Sequence, residues 1–324
     1  DNGSFSFVAQ RSHFCIESTA AFARGMLPGD NVPIDVLYGR EGEDELLNCR
    51  DGPCSNAFER SVDEAQVGYA PTFLSEFGWE LDALSAACGA NVSDQPLVLI
   101  KALLDGLDWT EEAGLRSDLG RQLERRVHEG LHAASFALTN HVFVGSGASL
   151  AVAACGFPKL LLSTLLSAVD ADERNESARL SAAQLALYLG HREGLYGVLR
   201  AFGFDDVVFA GHPHGMVPTG TCIFFELHML LGGAALATYA YVPAHRSASR
   251  GDIGRQIMGL RALGCERRIL CPLRVLAANH QRFVSSHGES RSVCRKASRM
   301  ASPPALLSAE GTASPAEATE SSHV

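Results

Sequence analysis

The sequence predicts a helix-rich α/β protein, because helical and strand patterns both recur along its 324 residues. Apolar residues at intervals of three and four across 61–140 are typical of amphipathic helices. Two short runs, 141–144 and 207–211, are apolar and β-branched, as in buried strands. The first run leads into Gly145-Ser146-Gly147 and an Ala-rich helical pattern, which favours a strand that feeds a glycine turn at the start of a helix.

Composition limits the classes of function. A formal charge of −10 argues against nucleic acid as a partner, because phosphate binding needs a positive field. The nine cysteines stand singly without a CxxC pair, which we interpret as reduced thiols of an intracellular protein. No secretory leader follows Asp1, so we expect the chain to begin inside a longer gene product whose N-terminal half is missing.

The first 140 residues contain several local elements. Residues 14–24 have helical spacing, and 28–31 break that helix. Residues 34–39 have the pattern of a short strand or a helix end. Helices are expected where apolar residues recur on one face, at 81–87, 96–107 and 118–138. Asp94 is the expected N-cap of the helix at 96–107.

The third of these helices carries the sequence His128-Glu129-Gly130-Leu131-His132. This HExxH pattern places two histidines one turn apart, as in zinc sites whose Glu is a general base. Gly130 weakens the helix, the flanks are charged like a solvated face, and Glu176 is the one speculative third ligand. We therefore predict no metal site.

Gly145, Ser146 and Gly147 are candidates for nucleotide binding. Glycines after a strand let backbone N–H groups approach a phosphate, and the dipole of the following helix favours its negative charge. The same arrangement also occurs without a ligand. Downstream, 180–202 predict a capped pair of helices with a small-residue contact at Gly197.

Two histidines separated by one residue follow the strand predicted at 207–211. In His212-Pro213-His214-Gly215 the proline fixes the backbone and the glycine permits a tight turn, so both imidazoles project from the strand end. A histidine there can take a proton from an alcohol that attacks a thioester. The alternative is a pair of structural histidines.

Several short segments occur in a fixed order along 3–204. They are Asn2-Gly3-Ser4-Phe5, Gly29-Asp30-Asn31, Asp35-Val36-Leu37-Tyr38-Gly39, Ser55-Asn56-Ala57-Phe58, Asp118-Leu119-Gly120-Arg121, 141–147 and 184–202. In order and approximate spacing they resemble segments of the C-terminal portion of eukaryotic (type II) pantothenate kinases. An insertion of several tens of residues separates Ser55 from Asp118.

The resemblance implies an actin-like (ribonuclease H-like) kinase lobe that uses ATP with Mg²⁺. The reaction would be phosphorylation of pantothenate, the first step of coenzyme A biosynthesis. Gly3 and Ser4 would lie near the substrate cleft, Gly145, Ser146 and Gly147 near the nucleotide, and the lobe would form a homodimer. The family's phosphate-binding turn and catalytic acid precede anything in this chain, so we expect an incomplete kinase.

The HPHG tetrapeptide and its surroundings, about 207–280, resemble the start of the diacylglycerol and monoacylglycerol O-acyltransferase family. That resemblance implies His214 as general base, His212 as its partner, acyl-CoA as donor and a lipid acceptor. Residues 222–243 are apolar except for Glu226 and His228, so a buried core or an interfacial membrane segment is expected, with association at the endoplasmic reticulum.

These predictions divide the chain into three parts. Residues 1–204 form the kinase-like lobe, 205–290 the partial α/β acyltransferase-like segment, and 291–324 a tail with few apolar residues, expected to be disordered. The main hypothesis is a cytoplasmic kinase-like protein joined to an acyltransferase-like segment. The alternatives are an active acyltransferase or a non-catalytic fragment or scaffold.

Overall fold

The computed structural model describes residues 5–27, 35–39, 46–47, 54–92, 99–100, 102–107, 123–145, 147–173, 185–204, 217, 220–242 and 257–301. The strands are β1 (Phe5–Ala9), β2 (Val36–Tyr38), β3 (Leu185–Leu189), β4 (Cys222–Leu230), β5 (Gly233–Tyr241), β6 (Ile257–Gly259) and β7 (Leu270–Pro272). The helices are α1 (His13–Met26), α2 (Ser55–Cys88), α3 (Arg125–Val144), α4 (Gly147–Ala154), α5 (Phe157–Glu173), α6 (Arg192–Ala201), α7 (Leu273–His287) and α8 (Ser290–Ala301).

Three strands form a parallel sheet in the order β2-β1-β3. The register pairs Phe7 with Val36 on one side of β1, and Ala9 with Leu189 on the other. Parallel neighbours need a crossover connection, which α1 supplies between β1 and β2. The carboxyl ends of all three strands therefore lie at one edge of the sheet.

Helix α1 and strand β2 form where the local sequence patterns predicted them. Helix α1 begins after Ser12, whose hydroxyl accepts a hydrogen bond from the Cys15 N–H at 3.2 Å and satisfies a donor that has no partner inside the helix. Its buried residues, Cys15, Thr19 and Ala23, are four apart and form one face. The segment predicted at 34–39 is strand β2.

A second body of the molecule is helical. Helices α2 and α3 pack against each other and against residues 99–107 around a core in which Phe73, Leu81, Ile100 and Leu131 are almost fully buried. The helical prediction for 81–87 is confirmed. Helix α2 ends at Gly89, whose φ of 67° closes the helix in the left-handed conformation that glycine adopts without strain.

The strand predicted at 141–144 is wrong, because these residues are the last turn of α3. Buried side chains recur along α3 at Val127, Leu131, Leu138 and Val142, so the helical spacing continues through the β-branched run. The packing of this face outweighs the local preference of Val142 for a strand.

Residues 222–241, in the stretch expected to be a buried core or an interfacial membrane segment, form a β-hairpin whose second strand is largely buried. Strands β4 and β5 pair antiparallel from Cys222 with Tyr241 to Leu230 with Gly233, joined by Leu231 and Gly232. Gly233 has a φ of 114°, which the turn requires. None of the helices in the described part of the chain is long and apolar enough to cross a membrane.

The hairpin shares a hydrophobic core with α6 and α7. Leu199 and Phe202 from the end of α6 pack with Leu236 of β5 and Leu276 of α7, all at most 3% exposed. Strand β5 is central in its sheet, since β4 lies on one side and both β6 and β7 pair on the other. The prediction of two helices across 180–202 is wrong at Leu185–Leu189, which form β3, and correct for α6.

The expected small-residue contact at Gly197 is confirmed. A Cβ added to Gly197 would lie 2.2 Å from the backbone nitrogen of Ala154 and 2.5 Å from its Cα, so α6 and α4 are in backbone contact there. Only glycine permits this approach, because both of the nearest atoms belong to the main chain of α4.

Four cysteines correct the expectation of reduced thiols. Cys54 is bonded to Cys294 and Cys265 to Cys271, with sequence separations of 240 and 6 residues. Neither pair has the CxxC spacing that would have predicted it. The partners of the longer bond are 240 residues apart, so only the tertiary structure brings them together. Asp94, the strand expected at 207–211 and the tail beyond residue 301 lie outside the described residues.

We predict that Gly197→Ala destabilises the protein by about 1–3 kcal/mol or more, because a methyl group must push α6 away from the α4 backbone. Gly194→Ala is the matched control on the same helix. A Cβ there would lie 3.8 Å from the Ala153 carbonyl oxygen, an ordinary contact. The free energy of unfolding, measured by urea titration, should fall for the first variant alone. Equal stability of the two variants would contradict the backbone contact.

Candidate functional site

Most of the residues predicted to form a site lie outside the described part of the chain. These are Gly3, Ser4, Ser146, His212 and His214. Gly145 follows α3 and its N–H donates to the His141 carbonyl oxygen at 3.2 Å, while Gly147 begins α4. The strand and glycine turn on which the nucleotide prediction rested is thus a junction between two helices.

The HExxH residues lie on α3. The rings of His128 and His132 are 4.6 Å apart and meet edge to face. Within the residues that the structure describes, no group of three or more His, Cys, Asp and Glu side chains is arranged to hold a metal ion. Glu176 lies outside those residues.

The carboxyl edge of the parallel sheet brings together two distant polar segments. β1 is followed by Gln10-Arg11-Ser12, and β3 by Gly190-His191-Arg192. The Gln10 N–H donates to the Leu189 carbonyl oxygen at 2.7 Å. The Gln10 side chain, 1% exposed, accepts a hydrogen bond from the His191 N–H at 3.2 Å. This contact fixes the two segments against each other across 181 residues of sequence.

Two helices begin at this same edge. α1 starts directly after Ser12, and α6 starts directly after His191, its N-cap. Because their strands are parallel neighbours, both N-termini lie beside the carboxyl ends of β1 and β3. The first N–H groups of a helix and the positive end of its dipole favour an anion at such a position. At this edge the Cys15 and Gly194 N–H groups already donate to Ser12 and His191.

The side chains around the edge are mostly cationic or titratable. Arg11 is exposed and His191 is partly exposed. Arg192 forms an ion pair with Asp105, with side chains only 17% and 14% exposed. This pair holds α6 against the helical residues 102–107. Glu193 lies in the first turn of α6 and is 4% exposed.

Sequence reasoning did not select His191 and Gln10 as a site. Each lies in an ordinary local context, and the two become neighbours only through the pairing of β1 with β3. The available signal was an apolar run at 185–189 followed by Gly190 and His191, the end of a buried strand. Because 192–201 have clear helical spacing, the prediction wrongly began the helical region before that strand.

Among solved structures, the fold of this chain is similar to that of several phytases. The phytase from Citrobacter braakii shares 15% sequence identity over 87% of this chain and 80% of its own, with a TM-score of 0.61. The Hafnia alvei phytase in complex with tartrate shares 13% identity over 90% and 80%, with a TM-score of 0.62.

The phytase of Klebsiella sp. ASR1 is also similar, with 16% identity over 87% of this chain and 76% of that one, and a TM-score of 0.59. No protein-family model matches the chain, and no curated protein matches it. At these identities the likeness establishes the fold alone.

The likeness corrects the two family resemblances drawn from the sequence. The fold is that of the phytases, a mixed α/β body with a helical part, and not an actin-like kinase lobe or an acyltransferase segment. The predictions of pantothenate phosphorylation, coenzyme A biosynthesis and O-acyl transfer rested on those resemblances and are therefore wrong. The kinase segments failed because each is short, and 141–147, the best of them, is helical around its glycines.

We predict that Gln10→Leu destabilises the protein by about 1–3 kcal/mol, because it leaves the His191 N–H without its acceptor at a buried contact. Urea titration measures the change. The matched control is Glu17→Gln on α1, which removes the exposed ion pair of Glu17 Oε1 with His13 Nε2 at 3.2 Å and should cost less than about 1 kcal/mol. A Gln10→Leu variant as stable as the control would show that the contact contributes nothing.

Proposed function

We propose that this protein is a phosphatase that hydrolyses phosphate monoesters at the carboxyl edge of its parallel sheet. The observation that carries the proposal is the convergence of two helix N-termini with His191 and Arg11 at that edge, on a fold shared with phytases. Ligands of open parallel sheets bind outside the carboxyl ends of the strands. The helix N-termini at the edge favour an anion, and the similarity of the fold to phytases favours phosphate as that anion.

Charge and hydrogen bonding at the edge suit a dianionic phosphate. The N–H groups at the start of α6 and α1 supply donors, and Arg11 supplies a planar guanidinium that matches phosphate oxygens. Arg192 is paired with Asp105, and this ion pair fixes the first turn of α6. The backbone N–H donors are fixed by the two helices before substrate arrives, which is the condition for electrostatic stabilisation of a transition state.

His191 is the side chain assigned to the reacting phosphate. Its backbone is held by Gln10, and its imidazole stands at the N-terminus of α6. In hydrolysis the bond between phosphorus and the ester oxygen breaks, a water oxygen bonds to phosphorus, and the leaving oxygen takes a proton. The water gives up a proton as it bonds to phosphorus, and a histidine in contact with the substrate can pass a proton to the leaving oxygen.

The same comparison supports a proposal for the substrate class. The phytases act on phytate, a ring that carries several phosphates, and the Hafnia alvei enzyme binds tartrate, a small dicarboxylate. Tartrate presents two negative charges to an anion site. We therefore propose that polyphosphorylated alcohols are hydrolysed here and that tartrate competes with them.

We predict that the purified protein releases inorganic phosphate from p-nitrophenyl phosphate and from phytate, and that His191→Ala lowers kcat by about 100-fold or more. His132→Ala is the matched control, since it removes a partly exposed histidine of α3 and should leave kcat unchanged. Phosphate release is followed colorimetrically, and thermal melts confirm that both variants fold.

Three results would count against this proposal. Absence of phosphate release by the wild-type protein, with tartrate still bound, would indicate an anion-binding protein without turnover. Full activity of His191→Ala would move the reaction away from this edge. Inhibition by tartrate that does not depend on substrate concentration would place its binding elsewhere.

A further inference from the structure

A cavity of about 580 Å³ lies among α4, α5, α7, α8 and the start of α2, apart from the residues of the proposed phosphatase site. Three cysteines and three permanently charged cations share its lining. They are Cys54, Cys155 and Cys294, with Lys159, Arg291 and Arg295. A disulfide, a third cysteine and positive charge are thus brought together at one concave surface.

The Cys54–Cys294 disulfide joins two helices that are far apart in the sequence. Cys54 is the N-cap of α2, and Cys294 lies in α8, with the two Cα atoms 4.6 Å apart. Their exposed fractions are 1% and 3%, so reagents in bulk solvent have little access to the bond. Because it closes a loop of 240 residues, its presence strongly restricts the unfolded chain.

Cys155 lies beside this bond. It packs against the cluster formed by Cys54, Val152 and Cys294 and is not itself in a disulfide. It occupies the junction between α4 and α5 with a φ of 51°, the one non-glycine residue in the left-handed region among those described. Unlike the two bonded cysteines it is partly exposed, so it connects the disulfide to the cavity and to solvent.

Cationic side chains share the lining of the cavity with Cys155, whose thiol donates to the Val152 carbonyl oxygen at 3.2 Å. Lys159 is paired with Glu289 at 3.1 Å, while Arg291 and Arg295 extend from α8. Burial lowers the pKa of His280, which opposes protonation of that ring despite the nearby Glu289. The positive charge of the cavity therefore comes from the lysine and the arginines.

We infer that Cys155 is the attacking thiol of an internal thiol–disulfide exchange with Cys54–Cys294. The Cys155 thiol gives its proton to water, and its sulfur attacks one sulfur of the disulfide. A new S–S bond forms, the Cys54–Cys294 bond breaks, and the released sulfur takes a proton. One disulfide and one thiol exist before and after the step, so no oxidant or reductant is required.

Exchange would move the crosslink from one pair of helices to another. Attack at Cys294 releases the start of α2, and attack at Cys54 releases α8. In both products the junction after α4 becomes part of the bond. This inference rests on the cysteine geometry and is independent of phosphatase activity.

The test is disulfide mapping of the wild-type protein without added thiol. Samples held at pH 8.5 and at pH 6 are quenched in acid, alkylated and digested, and disulfide-linked peptides are identified by mass spectrometry. We expect peptides that link Cys155 to Cys294 or to Cys54, with the released cysteine alkylated, and more of them at pH 8.5 because the thiolate is the nucleophile. Cys155→Ser should reduce them to background.

Cys88→Ser is the matched control, because Cys88 lies at the end of α2 outside the cavity and its loss should leave the exchanged peptides unchanged. Recovery of Cys54–Cys294 alone from the wild-type protein, with Cys155 fully alkylated at both pH values, would overturn the inference. That readout uses the wild-type protein, so it stands even where a variant fails to fold.

Discussion

The parallel pairing of β1 with β3 is the constraint on which the rest of the structure depends. It joins Phe5–Ala9 to Leu185–Leu189 across most of the chain, so the long intervening segment, which contains α2 and α3, must close as a loop. The entropy cost of closure grows slowly with length, which lets one short sheet hold a large helical insertion. The ends of the two strands then bring Gln10 to His191.

Helix α6 transmits this constraint to the other half of the molecule. Its N-terminus lies at the edge of the parallel sheet, and Arg192 is tied there to Asp105. Its C-terminal residues, Leu199 and Phe202, belong to the core shared with the β-hairpin and α7. A single helix of ten residues thus connects the candidate site, the helical body and the antiparallel sheet.

The sequence predicted elements whose stability is local and missed those that depend on distant partners. The spacing of Cys15, Thr19 and Ala23 identified α1, and the small-residue contact at Gly197 was visible in the helical pattern. The hairpin was missed because a run of small apolar residues suits a buried strand and a membrane-associated segment equally well. Likewise, His191 could not be selected from the sequence, because it becomes part of a candidate site only through its contact with Gln10, which is 181 residues away.

Helix α4 lies between the helix that carries the candidate site and the cysteines of the cavity. Ala154, its last residue, touches the backbone of Gly197, and the next residue, Cys155, packs against the Cys54–Cys294 bond. There is no space at Gly197 for α4 to move toward α6 without displacing it, because the contact is already between main-chain atoms. A rearrangement at Cys155 must therefore be absorbed on the cavity side, or it shifts the helix that begins at His191.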